Sequence, residues 1–160
     1  MKIIAVGLIF CSVLWCVRIY IRELEEQLIY FKDWEKIFRA WSEWLERFSI
    51  SVDELIEQTA TNPITCELSM AKQMQGHTIQ EISSAILGRK GVVAWENEVI
   101  LEVLQNIGNS MIGKEIESLD YAVNNLQKII LDRQNILKER KKLLYKLTPL
   151  LCGGLTIILW

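Results

Sequence analysis

The sequence predicts an all-α protein, in which a cytosolic antiparallel helical bundle carries an N-terminal and a C-terminal transmembrane helix. Three observations lead to this fold class. The 160 residues contain only two prolines, and they are rich in Leu, Ile, Glu and Lys, which favour helix over sheet. Apolar residues recur at heptad-like spacing in two long stretches. Uncharged runs stand at both ends. The predicted organisation is an anchor at residues 1–21, a bundle at 22–146 and a second anchor at 147–160.

The first anchor is predicted from residues 3–17, which are uncharged, and from the apolar residues 19–21 that follow Arg18. As a helix this stretch is about 28 Å long, close to the hydrocarbon thickness of a bilayer. A cleaved signal peptide is the alternative interpretation. Its positive region would consist of Lys2 alone, no small-residue cleavage pattern follows, and charged residues begin at once at Arg22. We therefore expect an uncleaved anchor.

Residues 22–48 are predicted to form a long helix with one apolar face. The members of this face, with Glu35 as the gap in the spacing, are Leu24, Leu28, Phe31, Phe38, Trp41, Leu45 and Phe48. Additional residues widen it beyond what one neighbouring helix needs, namely Tyr30, Trp34, Ile37 and Trp44. Two interpretations remain open: the face is the core of the bundle, or part of it docks another protein, because Trp and Tyr are favoured interface anchors. The candidates for docking are Trp34, Trp41 and Trp44.

Capping and turn signals divide the middle of the chain into short helices. Ser51 precedes Glu54 by three residues, a capping box for a helix that ends at Asn62-Pro63. Thr65 opens a segment that runs to Gln75. The remaining signals are a capping box at Thr78 and Glu81, a helix end at Gly88, a helix over residues 92–107 and a turn at 108–113. Short connections of this kind are typical of antiparallel bundles.

The last third of the chain is predicted to be one long amphipathic helix that runs into a hydrophobic end. Its apolar row consists of Ile116, Leu119, Val123, Leu126 and Ile130. Arg133 interrupts this row, and we expect the apolar seam to shift to a neighbouring row, formed by Ile129, Ile136 and Leu143. A dimeric coiled coil requires an uninterrupted seam, whereas an intramolecular bundle tolerates such a shift.

A group of basic residues, the basic collar, precedes the hydrophobic end and consists of Lys138, Arg140, Lys141, Lys142 and Lys146. Residues 147–160 are uncharged, which predicts the second anchor, with a buried C-terminal helix as the alternative. Pro149 falls in the first turn of this anchor, where a missing backbone donor is tolerated. Gly153 and Gly154 are candidates for close packing against another membrane helix.

Positive charge sets the predicted orientation. Arg18 and Arg22 flank the first anchor and the basic collar flanks the second, whereas only Lys2 lies on the other side. The central bundle is therefore expected in the cytosol. Within the collar, Arg140, Lys141 and Lys142 are candidates for binding a partner protein or the anionic surface of the bilayer.

The chain offers few residues for chemistry. The single histidine, His77, has no neighbouring ligand residues and is interpreted as a loop residue. Gly88 and Gly91 have the spacing of a phosphate-gripping loop, without the strands that RNA-binding domains of that kind need. The four cysteines form no disulfide framework, and the net charge of −2 gives no reason to expect nucleic acid. We predict no catalytic site, metal, cofactor or small-molecule substrate.

Several short motifs carry a resemblance to a known family. They are Trp95-Glu96, Glu98-Val99, Leu104, Ile107-Gly108, Gly113, the stretches 117–126 and 140–147, and Leu-Cys-Gly-Gly-Leu-Thr-Ile-Ile-Leu at 151–159. In these residues the chain resembles the stage III sporulation protein AB family of endospore-forming bacteria, most clearly at its two ends. That family is similar to the platform subunit of type II secretion systems.

The resemblance implies a scaffold in the mother-cell membrane that faces the forespore, within a complex that builds a channel or secretion apparatus. It also implies partners, namely a secretion-type ATPase in the cytosol and other membrane subunits of the complex. The alternative function is a membrane-tethered coiled-coil adaptor or regulatory protein that self-associates through its long helix.

Overall fold

The structure, a computed structural model, describes residues 2–48, 54–56, 62–66, 94–108 and 111–159. Three helices of more than one turn lie within these residues: α1 (Lys2–Phe48), α2 (Ala94–Asn106) and α3 (Ile112–Leu159). Short helical turns occupy 54–56 and 63–66. No strand occurs among the described residues, which confirms the predicted all-α class. No helix in this part of the chain combines the length and the apolar content that crossing a bilayer requires.

Both long helices are continuous. α1 unites the predicted first anchor and the helix of residues 22–48 in a single element, and its sequence contains no proline. α3 confirms the unbroken helix predicted for the last third of the chain and begins one turn earlier, at Ile112. Pro149 lies inside α3 rather than in the first turn of a separate helix. The preceding hydroxyl, Thr148 Oγ1, donates to the carbonyl of Leu144 at 2.6 Å.

The chain divides into two compact units. We call Ile29–Ile130 the aromatic-core unit, and Met1–Leu28 together with Leu131–Trp160 the terminal unit. The boundaries at 21/22 and 146/147 that the sequence predicts concern the membrane anchors and stay predictions.

The core of the aromatic-core unit is built on one face of α1. Phe31, Trp34, Phe38 and Trp41, which we call the aromatic seam, are all buried. They recur three and four residues apart, so that they share one side of the helix. Adjacent rings of the seam are in contact, with centroid distances of 5.3 Å for Trp34–Phe38 and 5.9 Å for Phe38–Trp41. The predicted apolar face is thus the core through Leu45, whereas Phe48 is exposed.

The other helices supply the rest of this core. The buried apolar residues outside α1 are Leu55, Ile56, Ile64, Ile100, Val103, Leu104, Ile107, Leu119, Ala122, Val123, Leu126, Ile129 and Ile130. Two hydrogen bonds fix the direction of α3 against α1: Ser42 Oγ donates to Asp120 Oδ1 at 2.9 Å, and Gln127 Nε2 donates to Glu35 Oε1 at 3.0 Å. The helices are therefore antiparallel in this unit, and Glu35, the gap in the apolar face, bonds at its edge.

Gly108 makes the turn between α2 and α3 possible. Its φ is 86°, a left-handed conformation that costs a residue with a Cβ about 1–2 kcal/mol. The amide of Gly108 donates to Oε1 of Glu115 at 2.8 Å, and Glu115 is buried in the first turns of α3. The predicted turn at 108–113 is therefore shorter than expected, because Ile112 and Gly113 are already helical.

Asn62 begins the helical turn at 63–66. Its side-chain oxygen accepts from the amide of Ile64 at 3.0 Å and its carbonyl accepts from the amide of Cys66 at 2.9 Å. This is an N-cap followed by proline at the first helical position. The prediction that Thr65 opens the segment is wrong, because Thr65 lies inside the turn and its hydroxyl donates to the Asn62 carbonyl. The predicted helix boundaries at residues 75–91 lie outside the described residues.

In the terminal unit, the row of α3 residues that faces α1 does not shift to the neighbouring row that the sequence predicted. Ile136 and Leu143 are 46% and 57% exposed. The original row continues instead, through residues that are half-buried or buried: Arg133, Leu137, Lys141, Leu144 and Thr148. A polar residue in the row did not displace the seam, because Arg133 hydrogen-bonds to Gln27 on α1.

Two glycines at the α2–α3 connection give a matched test of this geometry. We expect Gly108→Ala to lower the free energy of unfolding by about 1–2 kcal/mol, since alanine is strained at positive φ. Gly113→Ala should raise it by up to about 1 kcal/mol, because Gly113 is helical and an added Cβ would meet no atom within 4 Å. Denaturant unfolding of the full chain, followed by circular dichroism, measures both. Equal effects of the two substitutions would contradict the described turn.

Candidate functional site

Polar contacts join the two long helices in the terminal unit. Arg133 of α3 donates to Oε1 of Gln27 on α1. Nζ of Lys141 lies 2.5 Å from Oε1 of Glu25, in a pair whose side chains are 35% and 44% exposed. Ion pairs with this much exposure contribute at most about 1 kcal/mol. Their larger role is to set the register of α1 on α3.

An aromatic contact lies nearer the start of α1. The guanidinium carbon of Arg140 is 5.7 Å from the centroid of the Tyr20 ring, a cation–π distance. Compared with the pair of Gln27 and Arg133, the pair of Tyr20 and Arg140 lies nearer the start of α1 and nearer the end of α3, so the helices are antiparallel in this unit as well. Residues 3–17 and 147–159, the uncharged stretches of the sequence, consequently lie at the same end of the terminal unit.

Most of the large apolar side chains described at this end are exposed. On α1 they include Leu8, Leu14, Trp15 and Ile19, and on α3 Leu147 and Leu150. Trp15 alone is 68% exposed. The half-buried apolar residues of α1 in the terminal unit, on the side that faces α3, are Val13, Val17, Ile21 and Leu24. The exposed apolar surface is therefore large compared with the narrow line of contact between α1 and α3. Large exposed apolar surfaces are a feature of interaction sites rather than of ordinary water-exposed helices.

The basic collar surrounds α3 next to this apolar end. Lys138, Arg140, Lys142 and Lys146 are exposed, and Lys141 is half-buried against Glu25. Of the three predicted partner-binding cations, Lys142 is the one without a contact among the described residues, since Arg140 lies over Tyr20. The collar can therefore meet an anionic surface with most of its charge.

Gly153 and Gly154 are exposed on α3. A Cβ built at either position would meet no atom of the described chain within 4 Å. The described part of the chain therefore does not use these glycines for a close helix contact, and their packing against another membrane helix stays a prediction.

The structure separates the three candidate tryptophans. Trp34 and Trp41 belong to the aromatic seam and are 1% and 0% exposed, which corrects their interpretation as docking residues, because a partner could reach them only by opening the core. Trp44 is half-buried at the rim of that face, with its ring centroid 5.0 Å from that of Phe48. Phe48 is 59% exposed. The docking prediction therefore rests on Trp44, with Phe48 beside it.

The pKa values of two residues of α1, Tyr30 and Glu35, reflect their surroundings. Burial raises the pKa of Tyr30 to about 12, and the ring of Tyr30 stands edge-on to that of Trp34 at a centroid distance of 6.4 Å. The hydrogen bond from Gln127 lowers the pKa of Glu35, and Arg39, which donates to the same carboxylate at 2.6 Å, lowers it further. Glu35 is thus held ionised at the edge of the core, where its charge is compensated.

Sequence reasoning missed the residues that pair α1 with α3 in the terminal unit, namely Tyr20, Glu25 and Gln27. The sequence did contain a sign of them, because Arg133 and Lys141 continue the row of α3 residues that faces α1. A charged residue at such a position requires a polar or aromatic partner on the facing helix.

The described residues contain no group of three or more His, Cys, Asp and Glu side chains that could hold a metal ion. Cys66 is a free, half-buried thiol. His77, Gly88 and Gly91 lie outside the described residues.

Comparisons with known proteins assign no family to the chain. No family model matches it, and neither a curated protein nor a solved structure shows significant similarity to it.

The tryptophans make the distinction between core and surface testable. We expect Trp34→Ala to lower the free energy of unfolding by about 3–5 kcal/mol, the usual cost of removing a buried aromatic side chain. Trp44→Ala, the matched control, should cost about 1 kcal/mol or less and leave the helical content unchanged. Denaturant unfolding of the full chain followed by circular dichroism measures both effects. A larger loss for Trp44→Ala than for Trp34→Ala would contradict the burial pattern.

Proposed function

We propose that the chain is a membrane-anchored helical scaffold, with both apolar ends in one bilayer and the aromatic-core unit in the cytosol. The observation that carries the proposal is the antiparallel pairing of α1 and α3 in the terminal unit. Because Gln27 bonds to Arg133 and Tyr20 contacts Arg140, the two uncharged stretches emerge together. Two anchors that leave a domain at the same end can enter the same membrane without any further rearrangement.

The anchors themselves are supported by the sequence and by the surface of the terminal unit. Residues 3–17 are uncharged, and a helix of residues 3–21 has about the thickness of the hydrocarbon layer. Leu8, Trp15 and Leu150 are exposed apolar side chains at the same end, and burying them in lipid is favourable by about 25 cal/mol per Å². The basic residues Arg18 and Arg22, together with the collar, favour a cytosolic position for the rest of the chain.

The finer proposal follows from the resemblance to the stage III sporulation protein AB family. In it the chain is a platform subunit in the mother-cell membrane that faces the forespore, and its bundle couples a secretion-type ATPase to other membrane subunits. Trp44 with Phe48 is the candidate contact for the ATPase, because a half-buried indole beside an exposed ring resembles the aromatic anchors of protein interfaces. Lys142 is a candidate contact in the collar, and Gly153 and Gly154 are the candidate contacts for a membrane subunit.

Cysteine labelling in cells tests the topology. In a variant without the native cysteines we would introduce one reporter at a time: Lys2→Cys, Glu117→Cys and Trp160→Cys. We expect a membrane-impermeant reagent added outside to label the two terminal reporters and to leave Glu117→Cys unmodified until the membrane is permeabilised. Glu117 is a suitable position because it is exposed in the aromatic-core unit.

Three results would overturn the proposal. Labelling of Glu117→Cys from outside would place the aromatic-core unit beyond the reach of a cytosolic ATPase. Release of the chain from membranes by alkaline carbonate would show that it has no anchor. Labelling of only one terminal reporter would leave a single anchor and would remove the proposed platform geometry.

The adaptor function remains the second candidate, because Ile136 and Leu143 lie one heptad apart on the exposed side of α3. Such a pair can join two copies of the helix. If the chain is an adaptor, sedimentation of the full protein in detergent should show a monomer–dimer equilibrium, which Ile136→Ser with Leu143→Ser shifts toward monomer. If it is a platform that does not self-associate, the mass should be independent of protein concentration and of these substitutions.

A further inference from the structure

An open groove of about 520 Å³ runs along α1 in the terminal unit. Its described lining residues are Cys11, Leu14, Trp15, Arg18, Ile19 and Arg22. These six residues follow the three- and four-residue spacing of one helix face, which we call the outer strip. The half-buried residues Val13, Val17 and Ile21 lie on the other side of α1, toward the seam. The outer strip therefore faces away from the contact between α1 and α3.

The outer strip changes from apolar to basic along the helix axis. Its first part contains Cys11, Leu14 and Trp15, and its last part contains Arg18 and Arg22 with the apolar Ile19 between them. Cys11 and Arg18 are about 10 Å apart along a helix, so that the apolar part of the strip covers roughly two-thirds of the hydrocarbon thickness of one leaflet, about 15 Å. The outer strip thus has the polarity of a phospholipid, with an apolar part for the upper portion of an acyl chain and a cationic end at the position of the headgroup.

The charges at the basic end are available to an anionic ligand. Arg18 is exposed and makes no ion pair within the described part of the chain. Arg22 is also exposed, and its Nε lies 2.7 Å from Oε1 of Glu26, so that part of its charge is compensated. Trp15, one turn before Arg18, supplies an aromatic ring of the kind that settles at the boundary between headgroups and hydrocarbon.

We propose that the outer strip binds an anionic phospholipid of the cytosolic leaflet, with one acyl chain along Leu14 and Trp15 and the phosphate at Arg18. The proposal rests on the membrane anchoring proposed above and adds a preferred lipid class and a site to it. A lipid is favoured over a second copy of the chain, because the cationic end would be repelled by an identical strip in a parallel arrangement. Removing one basic contact of this kind should weaken the preference for anionic lipid about fivefold.

Quenching of tryptophan fluorescence by brominated lipids tests the proposal on the full chain in phosphatidylcholine vesicles. The signal from the strip is the part of the quenching that Trp15→Phe removes. We expect brominated phosphatidylglycerol to quench this part more strongly than brominated phosphatidylcholine at the same mole fraction. Arg18→Gln should reduce that preference about fivefold. Lys128→Gln, the control, removes an exposed cation of the aromatic-core unit and should leave the preference unchanged.

Each other outcome excludes a specific part of the proposal. Equal losses for Arg18→Gln and Lys128→Gln would show an effect of net charge without a site, and no preference for anionic lipid at all would exclude the site; neither result bears on the anchor. Weak quenching of Trp15 by both lipids would show that protein covers the strip. Failure of the chain to remain with the vesicles after an alkaline wash would reject the anchor, and the lipid site with it.

Discussion

The aromatic seam of α1 is the contact on which the aromatic-core unit depends. Each large aromatic side chain buries about 150–250 Å², which corresponds to about 4–6 kcal/mol of transfer free energy before the entropy of ordering is subtracted. Phe31, Trp34, Phe38 and Trp41 present this surface as one continuous strip. The helices that cover it need apolar residues but no special geometry, which explains why mostly Leu, Ile and Val face the seam. Polar bonds such as Ser42–Asp120 then fix the register at its edge.

In the terminal unit, the row of α3 residues that faces α1 is no longer entirely apolar. Arg133 and Lys141 occupy seam positions of α3 there, and each contacts a polar group of α1. Polar side chains at a helix–helix contact contribute little net stability and much specificity of pairing, since a shift in register would leave them without partners. Apolar side chains are correspondingly displaced to the outside of this unit. In the proposed function this outside is the surface that lipid covers.

The sequence predicted well those features that depend on local spacing. The continuous helix at the end of the chain, the helix before Gly108 and the apolar face from Leu28 to Leu45 were all recognisable, because helical periodicity is visible in a single sequence. It could not show which tryptophans of a wide face are inside, because that depends on the number of helices that cover the face. It also misplaced Asn62 and the seam beyond Ile130. In both cases a polar residue was taken as a break, although its hydrogen bonds made it part of the structure.

The distance in sequence between the long helices has a consequence for the synthesis of the protein. The two bonds that join α1 to α3 in the aromatic-core unit connect residues 78 and 92 positions apart. At about 5–20 residues per second, a ribosome needs roughly 4–18 s to make the second partner after the first. Throughout this interval the nascent chain contains the aromatic seam of α1 but not yet α3, whose residues help to cover it. By contrast, Gly108, in the turn after α2, and Glu115 of α3 are only seven residues apart, and their hydrogen bond can form almost as soon as both have left the ribosome. The period in which the chain is open to aggregation is therefore set by α1, which leaves the ribosome well before α3.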